Sequence, residues 1–170
     1  GCVLDIRFST TTPRLVYGWA ETIAEVTRAF AYAFDPDTYV GGGIPRLEAH
    51  VLEGPRTVCG LRVEPVQVEH GVLEGCLGYR IGPVAYIPDM KRIEEQEKRK
   101  LQGVTHLILN LLRDERPHAT HMILPESLAL AREIAPRHCY FVHMCHDIHY
   151  QLDAHLLEPW ADNALIRPRA

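Results

Sequence analysis

The stretch Cys76-Leu-Gly-Tyr-Arg-Ile81-Gly-Pro-Val84-Ala-Tyr-Ile87-Pro88-Asp89 holds two short runs rich in β-forming residues, separated by Gly-Pro. Gly-Pro is turn chemistry, so the reading is two strands, Cys76 to Ile81 and Val84 to Ile87. The second strand stops at Pro88 and hands a carboxylate, Asp89, to the loop beyond it. Functional side chains are common there, because a rigid strand positions a solvent-accessible loop.

Upstream, Leu15 to Tyr17 reads as a short strand and Ala20 to Phe34 as a helix, with Ile23, Val26 and Phe30 near helical spacing and no Gly or Pro inside. Asp35 to Pro45 contains three consecutive glycines and two prolines and reads as a surface loop able to lie close to a ligand or partner backbone. From Arg46 the period becomes two. Leu47 and Ala49 alternate with Glu48 and His50, and Leu61 and Val63 with Arg62 and Glu64, which predicts strands of antiparallel type. The alternation changes phase at Pro65, so that Val66, Val68 and His70 share a face; a bulge or strand edge is expected at the proline. His70 then ends its strand just before Gly71.

Downstream, Arg92 to Lys100 reads as an exposed charged helix with i,i+4 pairs and a solvated face. Next come a strand (Leu107 to Leu112), a polar loop (Arg113 to His121), a helix begun by proline (Pro125 to Ala135) and a strand (Cys139 to Val142). Hairpin-like strands followed by strands alternating with helices predict a layered α/β (α+β) architecture. A length of 170 residues and a hydrophobic fraction of 46% suit one domain spanning residues 1–170.

A formal net charge of −4 and a pI near 6.2 provide no basic field for general nucleic-acid or membrane-surface binding. No apolar run is long enough to cross a bilayer, so no membrane partner is expected. The five cysteines, Cys2, Cys59, Cys76, Cys139 and Cys145, show no CxxC spacing, which argues against a disulfide framework or zinc ribbon and fits a reducing cytoplasm.

Of the 10 histidines, His118, His121, His138, His143, His146, His149 and His155 fall in the last third. His70, Asp89, His121 and His143 each sit at or just beyond a predicted strand, so a sheet can bring them to one edge, where imidazole and carboxylate suit Zn²⁺ or a related ion. Taken singly they have plainer explanations. His70 can bond a loop carbonyl, Asp89 can cap the helix after it, and His118 and His121 can be a solvent-exposed pair. His143, Cys145, His146 and His149 can instead form a local structural zinc site. His149 and His155 read as surface residues.

The ordered series Val68-Glu-His70-Gly, Leu77 to Asp89, Arg116-Pro-His-Ala-Thr-His121 and Tyr140-Phe-Val-His143-Met-Cys-His146 closely resembles the later motifs of the metallo-β-lactamase superfamily. The nearest resemblance is to small phosphodiesterases related to the cyclic-phosphate phosphodiesterase of phosphonate metabolism. Gly41-Gly-Gly-Ile-Pro-Arg-Leu-Glu48 and Asp89-Met-Lys-Arg-Ile93 extend it over nearly the whole chain. The resemblance implies an αββα sandwich and a metal-dependent hydrolase with two divalent transition-metal ions, zinc or manganese, acting on a small-molecule phosphodiester. It also implies that His70 binds the first metal, Asp89 bridges both, His143 binds the second and His121 gives a proton to the leaving oxygen. His118 and His146 would contact substrate or support the site. A differently specialised or non-hydrolytic member, of the cofactor-biosynthesis type, is the alternative within the fold, and a metal-free interaction domain the alternative outside it.

The chain departs from that pattern in lacking the HxHxDH motif that supplies ligands to both metals. The expectation is a partial domain, incomplete at the N-terminus and at the C-terminus, with weak or no activity alone. Missing strands would leave sheet edges and apolar surface exposed and favour self-association, for example as a homodimer.

Overall fold

The computed structural model describes residues 4–5, 13–38, 46–146 and 148. Strands β1 (Leu4–Asp5), β2 (Arg14–Gly18) and β3 (Leu47–Val51) form one sheet in that order. Strands β4 (Arg56–Val58), β5 (Leu61–His70), β6 (Leu73–Ile81), β7 (Val84–Ile87), β8 (His106–Asn110) and β9 (His138–Val142) form a second, also in sequence order. Helices α1 (Ala20–Ala29) and α2 (Ala31–Phe34) join β2 to β3. Helix α3 (Glu95–Lys98) and a 3-10 turn (Arg99–Leu101) lie between β7 and β8, and α4 (Leu124–Ile134) lies between β8 and β9.

The larger sheet is buried on both faces. Val63, Leu77 and Tyr79 pack with Val58, Leu52 and Tyr17, closing it against the smaller sheet. Val66, Val68, Cys76, Ala85, Ile87, Leu107, Leu109 and Phe141 pack on the other face against Leu101, Leu128 and Ala131. Each such fully buried Leu or Phe side chain contributes about 1.5–3 kcal/mol relative to exposure. The result is the mixed α/β layering expected from the sequence.

Strand direction positions the site. Pairs β4·β5, β5·β6 and β6·β7 are antiparallel, whereas β7·β8 and β8·β9 are parallel. Strands β5, β7, β8 and β9 therefore all run the same way, and their C-terminal ends share one edge.

Several sequence expectations are corrected. β3 pairs with β2 in parallel, Arg14↔Leu47 through Gly18↔Val51, because α1 and α2 form a crossover; side-chain alternation carries no information on strand direction. The helix expected over Ala20 to Phe34 breaks at Phe30, whose φ of −119° and ψ of 37° are not helical. No bulge occurs at Pro65, which pairs in register with Tyr79. The phase change there arises because Val63 faces one core and Val66 and Val68 the other. The irregularity falls between Val68 and His70, at Glu69.

The charged segment is helical only over Glu95–Lys98 and continues as a 3-10 turn. Its ion pairs Glu95–Lys98 and Glu97–Lys100 are i,i+3. Nor is it merely a solvated face, since Glu97 accepts the Gln67 N–H at 2.7 Å, Lys100 donates to the Pro65 carbonyl, and Lys98 pairs with Glu133 of α4. β4 was not foreseen, and residues 39–45 of the glycine-rich loop lie outside the described residues. No helix among the described residues is long and apolar enough to cross a membrane.

Candidate metal centre

His70 is the last residue of β5, Asp89 stands two residues past β7, His121 lies in the loop after β8, and His143 directly follows β9. Backbone hydrogen bonds then draw these ends together. Glu69 pairs with the segment after Asp89: Glu69 N–H donates to Arg92 O at 2.9 Å, and Lys91 N–H to Glu69 O at 2.7 Å. Asp89 is thereby held beside His70. On the other side Met122 N–H donates to Met90 O at 3.0 Å, which pins the residue after His121 to the residue after Asp89.

Asp89 is the hub. Its Oδ1 lies 3.1 Å from His143 Nε2 and 3.3 Å from His121 Nε2. Ligand atoms of His70, Asp89 and His121 all lie within 4.8 Å of one another, and the His121 ring is 4.6 Å from that of His70 and 4.4 Å from that of His143. His143 has a left-handed φ of 65°, and the chain turns at that point. The helix that follows Asp89 has Glu94 at its N-cap, which removes the capping explanation for Asp89.

His70 does bond a loop carbonyl, with Nδ1 2.9 Å from Thr120 O. Donating Nδ1–H to a carbonyl leaves the other nitrogen with a lone pair, an arrangement that metal-binding imidazoles also use. His121 is held below the ordinary histidine range by burial first, then by the neighbouring His143 and His70 rings, with Asp89 opposing. The donors, imidazole and carboxylate, fit a borderline transition-metal ion in kind. In number they suffice for one ion and fall short of two.

His118 joins the group through His121. Its Nδ1 lies 3.3 Å from His121 N and from His121 Nδ1, and 3.2 Å from the Thr120 hydroxyl. The structure thus brings together His70, Asp89, His118, His121 and His143. His146 is exposed in the turn three residues beyond His143, and His149 and His155 lie outside the described residues. Burial pushes the Cys76 thiol up and that of Cys139 to about 12, so neither supplies a thiolate near neutral pH.

The sequence reading missed Asn110, which is fully buried at the end of β8. With its amide oriented to suit both neighbours, Nδ2 donates to Met90 O at 3.0 Å and Oδ1 accepts from Met122 N at 3.1 Å. It therefore ties together the residues that follow Asp89 and His121. The available signal was an amide inside the otherwise apolar run Leu107-Ile-Leu-Asn-Leu-Leu112. Lys91 was also passed over. It bonds both Glu126 oxygens at 2.7 and 2.8 Å, while Glu126 accepts the Ile123 N–H at 2.9 Å, fixing the start of α4 beside His121.

Residues 3–144 match the family model described as the β-lactamase superfamily domain. A similar solved structure is a diphosphatase of the PhnP family, 26% identical with a TM-score of 0.74, the match covering 86% of this chain and 53% of that one. Zn²⁺-bound PqqB from Methylobacterium extorquens is 19% identical with a TM-score of 0.61, covering 89% of this chain and 59% of that one. That second likeness concerns the fold. Among curated proteins, an octanoyltransferase of Porphyromonas gingivalis is 28% identical over 131 residues, which are 77% of this chain and 26% of that protein. The chain therefore spans about a quarter of that curated relative and little more than half of these two solved structures.

Proposed function

The chain belongs to the β-lactamase superfamily, and from that premise we propose that it carries part of the dinuclear centre of a metal-dependent phosphodiesterase acting on a small cyclic or nucleotide-like phosphodiester. The observation that carries this reading is the position of Asp89 Oδ1, 3.1 Å from His143 and 3.3 Å from His121, with His70 in the same cluster. In this reading His70 would hold one ion, His143 the other and Asp89 both, with the remaining ligands supplied from outside the described residues. A divalent ion held there, zinc or manganese, would supply Lewis acidity toward the phosphoryl oxygens.

The protein's own contribution is position and a proton. His121 turns Nε2 toward Asp89 and the space between the His70 and His143 rings, where it can protonate the leaving oxygen. His118 supports it from behind, and His146, at the exposed rim, contacts substrate. The 26% identity to the diphosphatase supports the phosphoryl substrate class. The octanoyltransferase name belongs to a protein of which this chain matches 26%, and no observation here favours acyl transfer.

The test is metal content after dialysis, by elemental mass spectrometry, on this chain and on a version extended upstream to restore an HxHxDH segment. Two ions per extended chain and few in the short one are expected. In the extended protein, His121→Ala should keep its metal and lose about 10²–10⁴-fold in phosphodiester turnover. Loss of metal from that variant would make His121 a ligand instead, and no metal in either protein would overturn the assignment.

A further inference from the structure

Thr120 sits between the two imidazoles whose protons matter most, and it touches each with a different group. Its carbonyl oxygen is 2.9 Å from His70 Nδ1, and its hydroxyl is 2.8 Å from His121 Nδ1. A carbonyl only accepts, so His70 must carry its proton on Nδ1. A hydroxyl can do either, and the surroundings decide. On the far side of the His121 ring, Nε2 faces the Asp89 carboxylate, which as an anion only accepts. In the neutral ring the single proton then belongs on Nε2, and Nδ1 must accept. His118 Nδ1 lies 3.2 Å from the hydroxyl and 3.3 Å from His121 Nδ1, but it already faces the N–H groups of Thr120 and His121, each at 3.3 Å, so the hydroxyl proton goes to the nearer His121 Nδ1 at 2.8 Å.

We infer that Thr120 is a positioning residue that sets opposite tautomers in the two rings flanking it, holding the proton of His70 on Nδ1 through its carbonyl and that of His121 on Nε2 through its hydroxyl. The first leaves His70 a metal-facing lone pair, and the second points the His121 N–H at the reacting side. Gly71 explains how Thr120 comes so close. It has φ +64°, and a Cβ there would stand 2.4 Å from Thr120 Cγ2, so a side chain at position 71 would crowd the Thr120 side chain whose hydroxyl faces His121. The role assigned to the His121 proton rests on the phosphodiesterase reading, whereas the tautomers themselves do not.

The experiment is ¹⁵N imidazole NMR on the metal-free chain, which distinguishes Nδ1–H from Nε2–H rings directly. Signals are assigned with His70→Gln and His121→Gln, and the spectra are recorded for the parent, Thr120→Ser and Thr120→Val. The parent and Thr120→Ser should show His70 as Nδ1–H and His121 as Nε2–H. Thr120→Val keeps the shape and the carbonyl but loses the hydroxyl, so His121 alone should shift toward a tautomer mixture. An unchanged His121 in Thr120→Val, or a change in His70 of equal size, would overturn the inference. In an active, upstream-extended protein Thr120→Val should lower kcat about tenfold or more with KM held, and Thr120→Ser should restore it. Absence of turnover would count against the phosphodiesterase reading and leave the tautomer result standing.

Discussion

Replacing Asn110 by alanine should destabilise the protein by about 2–4 kcal/mol. The side chain is fully buried and makes two hydrogen bonds, to Met90 O at 3.0 Å and from Met122 N at 3.1 Å. Each is worth about 0.5–1.5 kcal/mol net, and removing three packed atoms from a closed interior adds a cavity cost of similar size. The loss is bounded because Met122 N–H and Met90 O still bond each other at 3.0 Å, so neither is left without a partner. Asn110→Asp is the sharper test. It keeps the shape and the oxygen facing Met122 but puts an oxygen against the Met90 carbonyl where the amide donated. That aspartate must stay protonated or remain unpaired in a site closed to water, so near neutral pH it should cost at least as much as alanine and recover in acid. Urea unfolding with linear extrapolation measures both. An alanine variant within about 0.5 kcal/mol of the parent, or an aspartate variant as stable as the parent at neutral pH, would refute the stapling argument.

Two other perturbations follow from the same geometry. His121 is held below its ordinary range, so the unfolded chain takes up this proton more readily than the folded one; stability is highest above about pH 6.5 and falls as pH drops from there through the depressed folded value. Thermal melts of chelator-treated protein between pH 7.5 and 5.5 should show a steeper loss for the parent than for His121→Gln, and equal slopes would contradict it. Gly71→Ala meets both a left-handed φ of +64° and the 2.4 Å approach to Thr120, and should cost about 1–3 kcal/mol by urea unfolding, whereas an unchanged midpoint would show that Thr120 has room to move.

The sequence exposes strand ends better than strand partners. Asp89 and His143 could be placed because each follows a short run of β-forming residues that stops abruptly, and strand termini can be read locally. The direction of β3 and the location of the irregularity in β5 could not, because both depend on neighbours far along the chain. Glu69 pairs with Arg92, 23 positions away in sequence, and no local pattern signals this. The charged segment misled for a related reason. Glu97 and Lys98 have the spacing of a solvated helix, and only the folded chain shows Gln67 and Glu133 waiting for them. Asn110 was hidden among leucines whose hydrophobicity dominated the reading of the run.

The pairings that the sequence conceals are the ones that assemble the cluster. Asp89 reaches His70 through the backbone bonds of Glu69 with Lys91 and Arg92, and reaches His121 through Met90, Met122 and Asn110. Most of these bonds join backbone groups, and the bridging side chain of Asn110 is fully buried. The separation between Asp89 and His121 is therefore set by the sheet and its connections. In the proposed reading the donors are already gathered by folding when an ion arrives. His121 is disfavoured as a cation in the metal-free protein first by its burial and then by the His143 and His70 rings that the sheet edge holds beside it.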